Sequence, residues 1–140
     1  RDGTAIAMDG NLLQFDGVAP GSYFVVVNHR NHIAVMSSQK VDFSTGFGSW
    51  DFTSDISKAY SQGDVPMVDL GDGRLVMFAG DANNDGQATA ADFNLFLSQT
   101  KQVAEGYTTA DFNLDGQVTA NDFNVYLKNS KRAVSTQVPN

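Results

Sequence analysis

Apolar residues recur in two different rhythms along the chain, and the change falls near residue 80. Before it, short apolar runs at 11–15, 23–27, 33–36, 41–43, 50–52, 66–70 and 74–78 are separated by Gly, Pro, Asp and Ser, the pattern of strands bounded by turns. Pro20 and Gly21 suit a type II turn at 19–22, because Pro presets its own φ and Gly tolerates a positive one, and Gly71-Asp72-Gly73 suits a second turn. Residues 54–60 predict a short helix capped by Ser54, with Ile56, Ala59 and Tyr60 on one face. Residues 1–79 therefore predict a small antiparallel β-sandwich or meander.

After residue 80 the spacing becomes helical. Phe93, Phe96 and Leu97, and again Phe123, Tyr126 and Leu127, fall at i, i+3 and i+4, which places each trio on one helical face. Two short helices would bury those faces against each other. The two segments repeat with a period of 30 residues: Gly86 aligns with Gly116, Phe93 with Phe123, Asn94 with Asn124, and Leu97 with Leu127. The predicted class is α+β, with a β-rich unit at 1–79, a two-repeat unit at 80–130, a linker at 101–110 centred on Gly106, and a polar tail at 131–140.

Each repeat opens with a twelve-residue loop, DANNDGQATAAD from Asp81 to Asp92 and DFNLDGQVTAND from Asp111 to Asp122. The pattern D-x-N-x-D-G with a closing Asp has a physical reading. Calcium takes roughly six to eight oxygen ligands, and side chains at the first, third and fifth positions of a tight loop converge from alternate residues. Asp81, Asn83 and Asp85 supply them in the first loop, and Asp111, Asn113 and Asp115 in the second. Gly86 and Gly116 stand where the chain must turn sharply. The seventh position contributes a backbone carbonyl, here Gln87 and Gln117, and the ninth acts through water near Thr89 and Thr119. Asp92 and Asp122 close the cages, each one methylene shorter than the usual Glu. Thr89 and Thr119 precede those closing residues by three positions, an arrangement that also caps a helix start. A cluster of Asp, Asn and Gly is also simply what a turn contains, but two loops with one ligand pattern at a fixed period favour two calcium ions.

Composition narrows the partners. Hydrophobic residues make up 41% and charged residues 18%, the balance of a folded protein. The formal net charge is -7, which disfavours nucleic acid and anionic membrane surfaces and favours cations. Six of the 16 acidic residues occupy loop ligand positions. With no cysteine, neither disulfides nor a Cys-based zinc site can staple the chain. No apolar run reaches the roughly 18 to 20 residues of a membrane span. Since the sequence begins at Arg1 rather than Met, we expect a processed or excised C-terminal piece of a longer protein.

Residues 80–130 resemble a dockerin-type repeat pair, in which each calcium loop is followed by a helix without the regular entering helix of an EF-hand. The ligand positions named above match. The Ser/Thr pair through which dockerins often meet a cohesin partner is replaced by Ala90-Ala91 and Ala120-Asn121. Residues 18–43, carrying GSYFVVVNHRNHIAVM, and the closing TQVPN resemble the C-terminal regions of large secreted bacterial multidomain proteins. That resemblance implies secretion or cell-surface display and a non-catalytic terminal module.

The expected function is accordingly a calcium-stabilised structural or interaction module. Its partner would be the neighbouring β unit or another surface protein. A cohesin-like partner, or a carbohydrate-binding role in a polysaccharide-degrading enzyme, are the alternatives. His29 and His32 flank Arg30-Asn31, and such a pair in a turn is more often structural than catalytic or metal-binding. Trp50 with Phe47, Phe52 and Tyr60 would serve a sugar platform or, more simply, a core. Asp42, Asp51, Asp55, Asp64, Asp69 and Asp72 show no spacing that marks a glycosidase pair, and no catalytic motif is present, so an enzyme is not expected.

Overall fold

The structure, a computed structural model, describes residues 5–101, 106–132 and 134–139. Its strands are short and antiparallel: β1 (Ser22–Tyr23), β2 (Val26–His29), β3 (His32–Met36), β4 (Val41–Asp42), β5 (Val68–Asp69) and β6 (Leu75–Val76). Two helices follow, α1 (Ala90–Lys101) and α2 (Ala120–Ser130). The protein is thus a small mixed α/β chain of hairpins and two helices. Among the described residues no helix is long and apolar enough to cross a membrane.

The predicted sandwich does not form. The six strands make three separate two-stranded ladders, β1 with β4, β2 with β3, and β5 with β6, rather than two larger sheets. The consequence is visible on β2, where Val26 is 47% and Val27 36% exposed, while on β3 the alternating Ile33 and Val35 are buried. Ile33 packs with Val68, Phe78 and the tail residue Val134. Val35 packs with Ala59 and Met67, with Phe52, Leu75 and Met77 around them.

Several local predictions give way to side-chain turns. The run at 11–15 is no strand. It contributes one isolated bridge between Ile6 and Leu12, because Asp9 accepts from the Asn11 N–H and bends the chain there. Residues 50–52 are not a strand either: Asp51 accepts from the backbone N–H and the hydroxyl of Thr53. The helix predicted at 54–60 shrinks to a single 3-10 turn at Ile56–Lys58, and its cap is Asp55, accepting from Ser57 N–H, rather than Ser54. Gly21 does not adopt the positive φ that a type II turn would require. The predicted turn at 71–73 is present, joining β5 to β6 with Leu70 N–H donating to Arg74 carbonyl at 3.1 Å.

The aromatic positions of the two predicted faces pack together, but Leu97 is 37% exposed and neither it nor Leu127 joins the core, where Leu95 and Val125 pack instead. Phe93 lies against Phe96, Phe123 and Tyr126 at ring-centroid separations of 5.6 to 6.1 Å. Phe96, Phe112 and Tyr126 are buried with Ala79, Ala82 and Ala110. Each helix also holds the other repeat's loop. The Tyr126 hydroxyl of α2 donates to the Thr89 carbonyl at 2.6 Å, and Gln99 of α1 accepts from Ala110 N–H and donates to Thr109 Oγ1. The predicted linker falls partly on 102–105, outside the described residues, as do 133 and 140 of the tail. The rest of the tail packs back on the protein: Gln137 is buried and accepts from Gln62 N–H at 2.8 Å, and Thr136 Oγ1 lies 3.4 Å from the Ala34 carbonyl.

Candidate metal centre

The loops at 81–92 and 111–122 are folded by their own carboxylates. In the first, Asp81 Oδ1 accepts from Asp85 N–H and Oδ2 from Gly86 N–H, both at 2.9 Å. Asp92 Oδ1 accepts from Asn83 N–H at 3.1 Å, and its Oδ2 from the N–H and hydroxyl of Thr89 at 2.7 and 3.1 Å. Asp85 accepts from Gln87 N–H and from the Asn83 amide, whose oxygen in turn accepts from Asp85 N–H. The same bonds recur 30 residues later through Asp111, Asn113, Asp115, Gln117, Thr119 and Asp122, with distances that agree within 0.2 Å.

Backbone conformation repeats as well. Gly86 and Gly116 hold φ of 85° and 89°, a left-handed geometry that glycine adopts without a Cβ penalty. The fourth loop positions, Asn84 and Leu114, also hold positive φ, 58° and 63°, and are the two non-glycine residues among those described that do so. Sequence reasoning missed this feature. Asn tolerates the left-handed region, but Leu gives no signal for it. Thr119 forms the capping box with Asp122 at the start of α2, and Thr89 makes the matching bonds at α1.

Four carboxylates are buried. Asp81 is 1% exposed, and Asp92, Asp111 and Asp122 are 0%, whereas Asn83, Asp85, Asn113 and Asp115 face solvent. Each loop therefore has a buried floor, made by its first and last residues, and an open rim. Burial pushes the Asp81 carboxyl above its usual range; the backbone N–H bonds from Gly86 and Asp85 oppose this, and the nearby Asp92 and Asp85 add to it. Among the described residues the ion pairs are Arg30 with Asp111, at 3.7 Å, and the exposed Arg74 with Asp72. Asp81, Asp92 and Asp122 have no cationic side chain within ion-pair distance among those residues.

Among the described residues no group of three or more His, Cys, Asp or Glu side chains is disposed to hold a metal ion as it stands. The donor chemistry nevertheless suits a hard cation. Three carboxylates, an Asn oxygen and a backbone carbonyl per loop are all oxygen donors, and a carboxylate oxygen bonded to one N–H keeps further lone-pair capacity.

The loops differ in what surrounds them. The tail covers the first: Thr136 N–H donates to the Gly86 carbonyl at 2.7 Å, and Ser135 bridges to Gln87. Beside it lies an open groove of about 270 Å³, lined by Val26, Ala34, Asp85, Thr136 and Val138 among others. At the second loop the Gly116 carbonyl accepts from Gly106 N–H at 2.8 Å, and Arg30 approaches from the β2–β3 turn. There the guanidinium donates to the Thr108 carbonyl at 3.2 Å and lies 5.2 Å from the Tyr107 ring centroid. Sequence inspection did not anticipate this contact; Arg30 and Asn31 stood out in it only as residues between two histidines.

Those histidines do come together, with His29 and His32 Nδ1 atoms 3.0 Å apart and rings edge to face. His32 Nδ1 also lies 2.8 Å from Asn31 Oδ1. Because an Asn oxygen can only accept, His32 is the donor there. Burial, then the neighbouring His29 and Arg30, push the His32 imidazole down to about 4. Among the described residues no acidic side chain is bonded to either ring. Trp50 is half-buried, donates from Nε1 to the Lys58 carbonyl at 3.1 Å, and has the Lys58 ammonium 5.0 Å from its ring centroid. Comparison with protein-family models, with curated proteins and with solved structures gives no match for this chain.

Proposed function

We propose that residues 80–130 form a dockerin-like module that binds two calcium ions and serves as a non-catalytic structural or interaction unit of a secreted or cell-surface protein. Asp81, Asn83, Asp85 and Asp92, with the Gln87 carbonyl, would hold one ion. Asp111, Asn113, Asp115 and Asp122, with the Gln117 carbonyl, would hold the other. The carrying observation is the burial of four carboxylates at 0–1% exposure in two hydrogen-bond nets that repeat bond for bond, with, among the described residues, a single arginine paired to one of them. A buried charge without a partner is strongly unfavourable, and a divalent cation at each loop removes that penalty. Two ions would bring the net charge from -7 to about -3.

The ions' role here is structural, and their binding energy becomes folding energy. At a hundredfold excess over Kd each site adds about 2.7 kcal/mol to stability. The first partner of the ordered module is its own chain, since the tail and the β2–β3 turn both rest on the loops. Neither alternative has an observation of its own in its favour. The places used by dockerins for a cohesin carry Ala90-Ala91 and Ala120-Asn121, and Lys58 stands over Trp50.

Calorimetric titration of the chelator-treated chain tests the proposal. Two ions are expected for the wild type and one each for Asp85→Ala and Asp115→Ala. Absence of binding at millimolar calcium would overturn it.

A further inference from the structure

We infer that Asn31 is a positioning residue that ties the two loops together, so that calcium ions bind to them as a coupled pair. This rests on the calcium reading above. Asn31 sits at the tip of the β2–β3 hairpin and is 0% exposed. Its backbone carbonyl accepts from Gly80 N–H at 3.1 Å and Asp81 N–H at 3.2 Å, which seats it on the first residue of the first loop. Its side-chain amide donates to the Asp111 carbonyl at 2.7 Å, the first residue of the second loop. The amide oxygen accepts from His32 Nδ1 at 2.8 Å.

Both ends of the side-chain amide are engaged, so the side chain cannot turn away from one partner without releasing the other. An asparagine 80 residues distant from Asp111 in sequence has no local reason to be there. Asp81 and Asp111 are the residues whose carboxylates fold their loops, each accepting from the N–H groups four and five positions on. An ion that orders the second loop fixes Asp111, and through its carbonyl fixes Asn31. Asn31 then holds the amides of Gly80 and Asp81 in place for the first ion. Arg30 strengthens the second half of this clamp through the Thr108 carbonyl.

A second route between the loops exists through the helix core, where Phe93 meets Phe123 and Phe96 meets Phe112. The experiment must separate the two. Calcium affinity of the first site is measured by titration in the wild type, Asp115→Ala, Asn31→Ala and the double variant, all as the full chain. Loss of the second site is expected to weaken the first about tenfold when Asn31 is present, and less than about twofold in Asn31→Ala. A tenfold effect that survives Asn31→Ala would assign the coupling to the helices and overturn the inference. So would an Asp115→Ala chain whose first site is unchanged. Absence of calcium binding by the wild type is a different failure, and would remove the functional reading itself. Should Asn31→Ala not fold, amide exchange on the Asn31-intact Asp115→Ala chain decides. In calcium, Gly80 and Asp81 amides should exchange about tenfold faster than in the wild type while the interior of α1 is unchanged, and equal exchange at those two amides would sink the idea.

Discussion

The two loops are alike inside and unlike outside, and that contrast separates what the loop sequence dictates from what the fold adds. Internally, the same carboxylates take the same N–H groups at nearly the same distances. Externally, the first is closed over by the tail at Ser135 and Thr136, and the second by an arginine reaching from the β2–β3 hairpin. A loop geometry that persists under two different covers is set locally. The covers decide how much a given change costs.

Glycine substitution at the sixth loop position exposes the difference most strongly. Gly86 and Gly116 have almost the same positive φ, so an alanine at either incurs the left-handed penalty of about 1 to 2 kcal/mol. Around Gly116 nothing lies within 4 Å of a new Cβ, but at Gly86 that atom would be 2.8 Å from Thr136 Cγ2. Gly86→Ala is therefore expected to cost about 3 kcal/mol and Gly116→Ala about half as much, read from chemical denaturation in saturating calcium. In a Thr136→Ser background, which removes Cγ2 and keeps the hydroxyl, the two costs should draw closer without becoming equal, because Cβ of residue 136 still lies 3.2 Å from the new atom. Equal costs in the unmodified chain would show that the tail yields without penalty.

What could be read in the sequence follows the same division. The 30-residue repeat of the loops, the aromatic positions of the two helix faces, β3 and the 71–73 turn were legible because each is specified by residues within about a dozen positions, whereas Leu97, expected on the buried face, is exposed. The sandwich was not. Short apolar runs suggest a sandwich, yet whether their strands join into two sheets depends on pairing with chain elsewhere, and here Val26 and Val27 remain partly exposed. Asp51 and Asp9 ended predicted strands by bonding their own neighbours, a competition that apolar spacing does not register. The covers of the loops were invisible for a different reason. Asn31 to Asp111 and Thr136 to Ala34 are contacts across 80 and 102 residues, and no local pattern announces them.

Acid tests whether the turn joining the loops is a structural part. His32 stays neutral in the fold because burial, His29 and Arg30 hold its pKa at about 4, against 6.5 in the unfolded chain. Below pH 6.5 the unfolded state binds a proton that the folded state refuses, so stability is full above that pH and falls progressively toward pH 4. By pH 5 the loss is expected to reach about 2 kcal/mol. It is isolated by comparing the pH dependence of stability in the wild type and in His32→Gln, because the carboxylates titrate in both chains. Parallel curves between pH 6.5 and 5 would mean that the imidazole is solvated after all. If the turn serves both loops, the acid-sensitive step should release Gly80 and Gly106 amides together rather than one loop alone.

The smallest expected effect lies at the fourth loop position, where the fold asks the same of two dissimilar residues. Asn84 at φ 58° meets a conformation that its short polar side chain tolerates, whereas Leu114 at φ 63° does not. Leu114 is 41% exposed, so its burial offsets only part of that strain. Leu114→Asn is expected to stabilise the chain by about 1 kcal/mol, and Asn84→Leu to destabilise it by a similar amount, both measured as shifts of the denaturation midpoint at fixed calcium. If Leu114→Asn instead destabilises, the leucine is held by packing that outweighs its backbone strain. The second loop would then depend on its surroundings as much as the first depends on the tail.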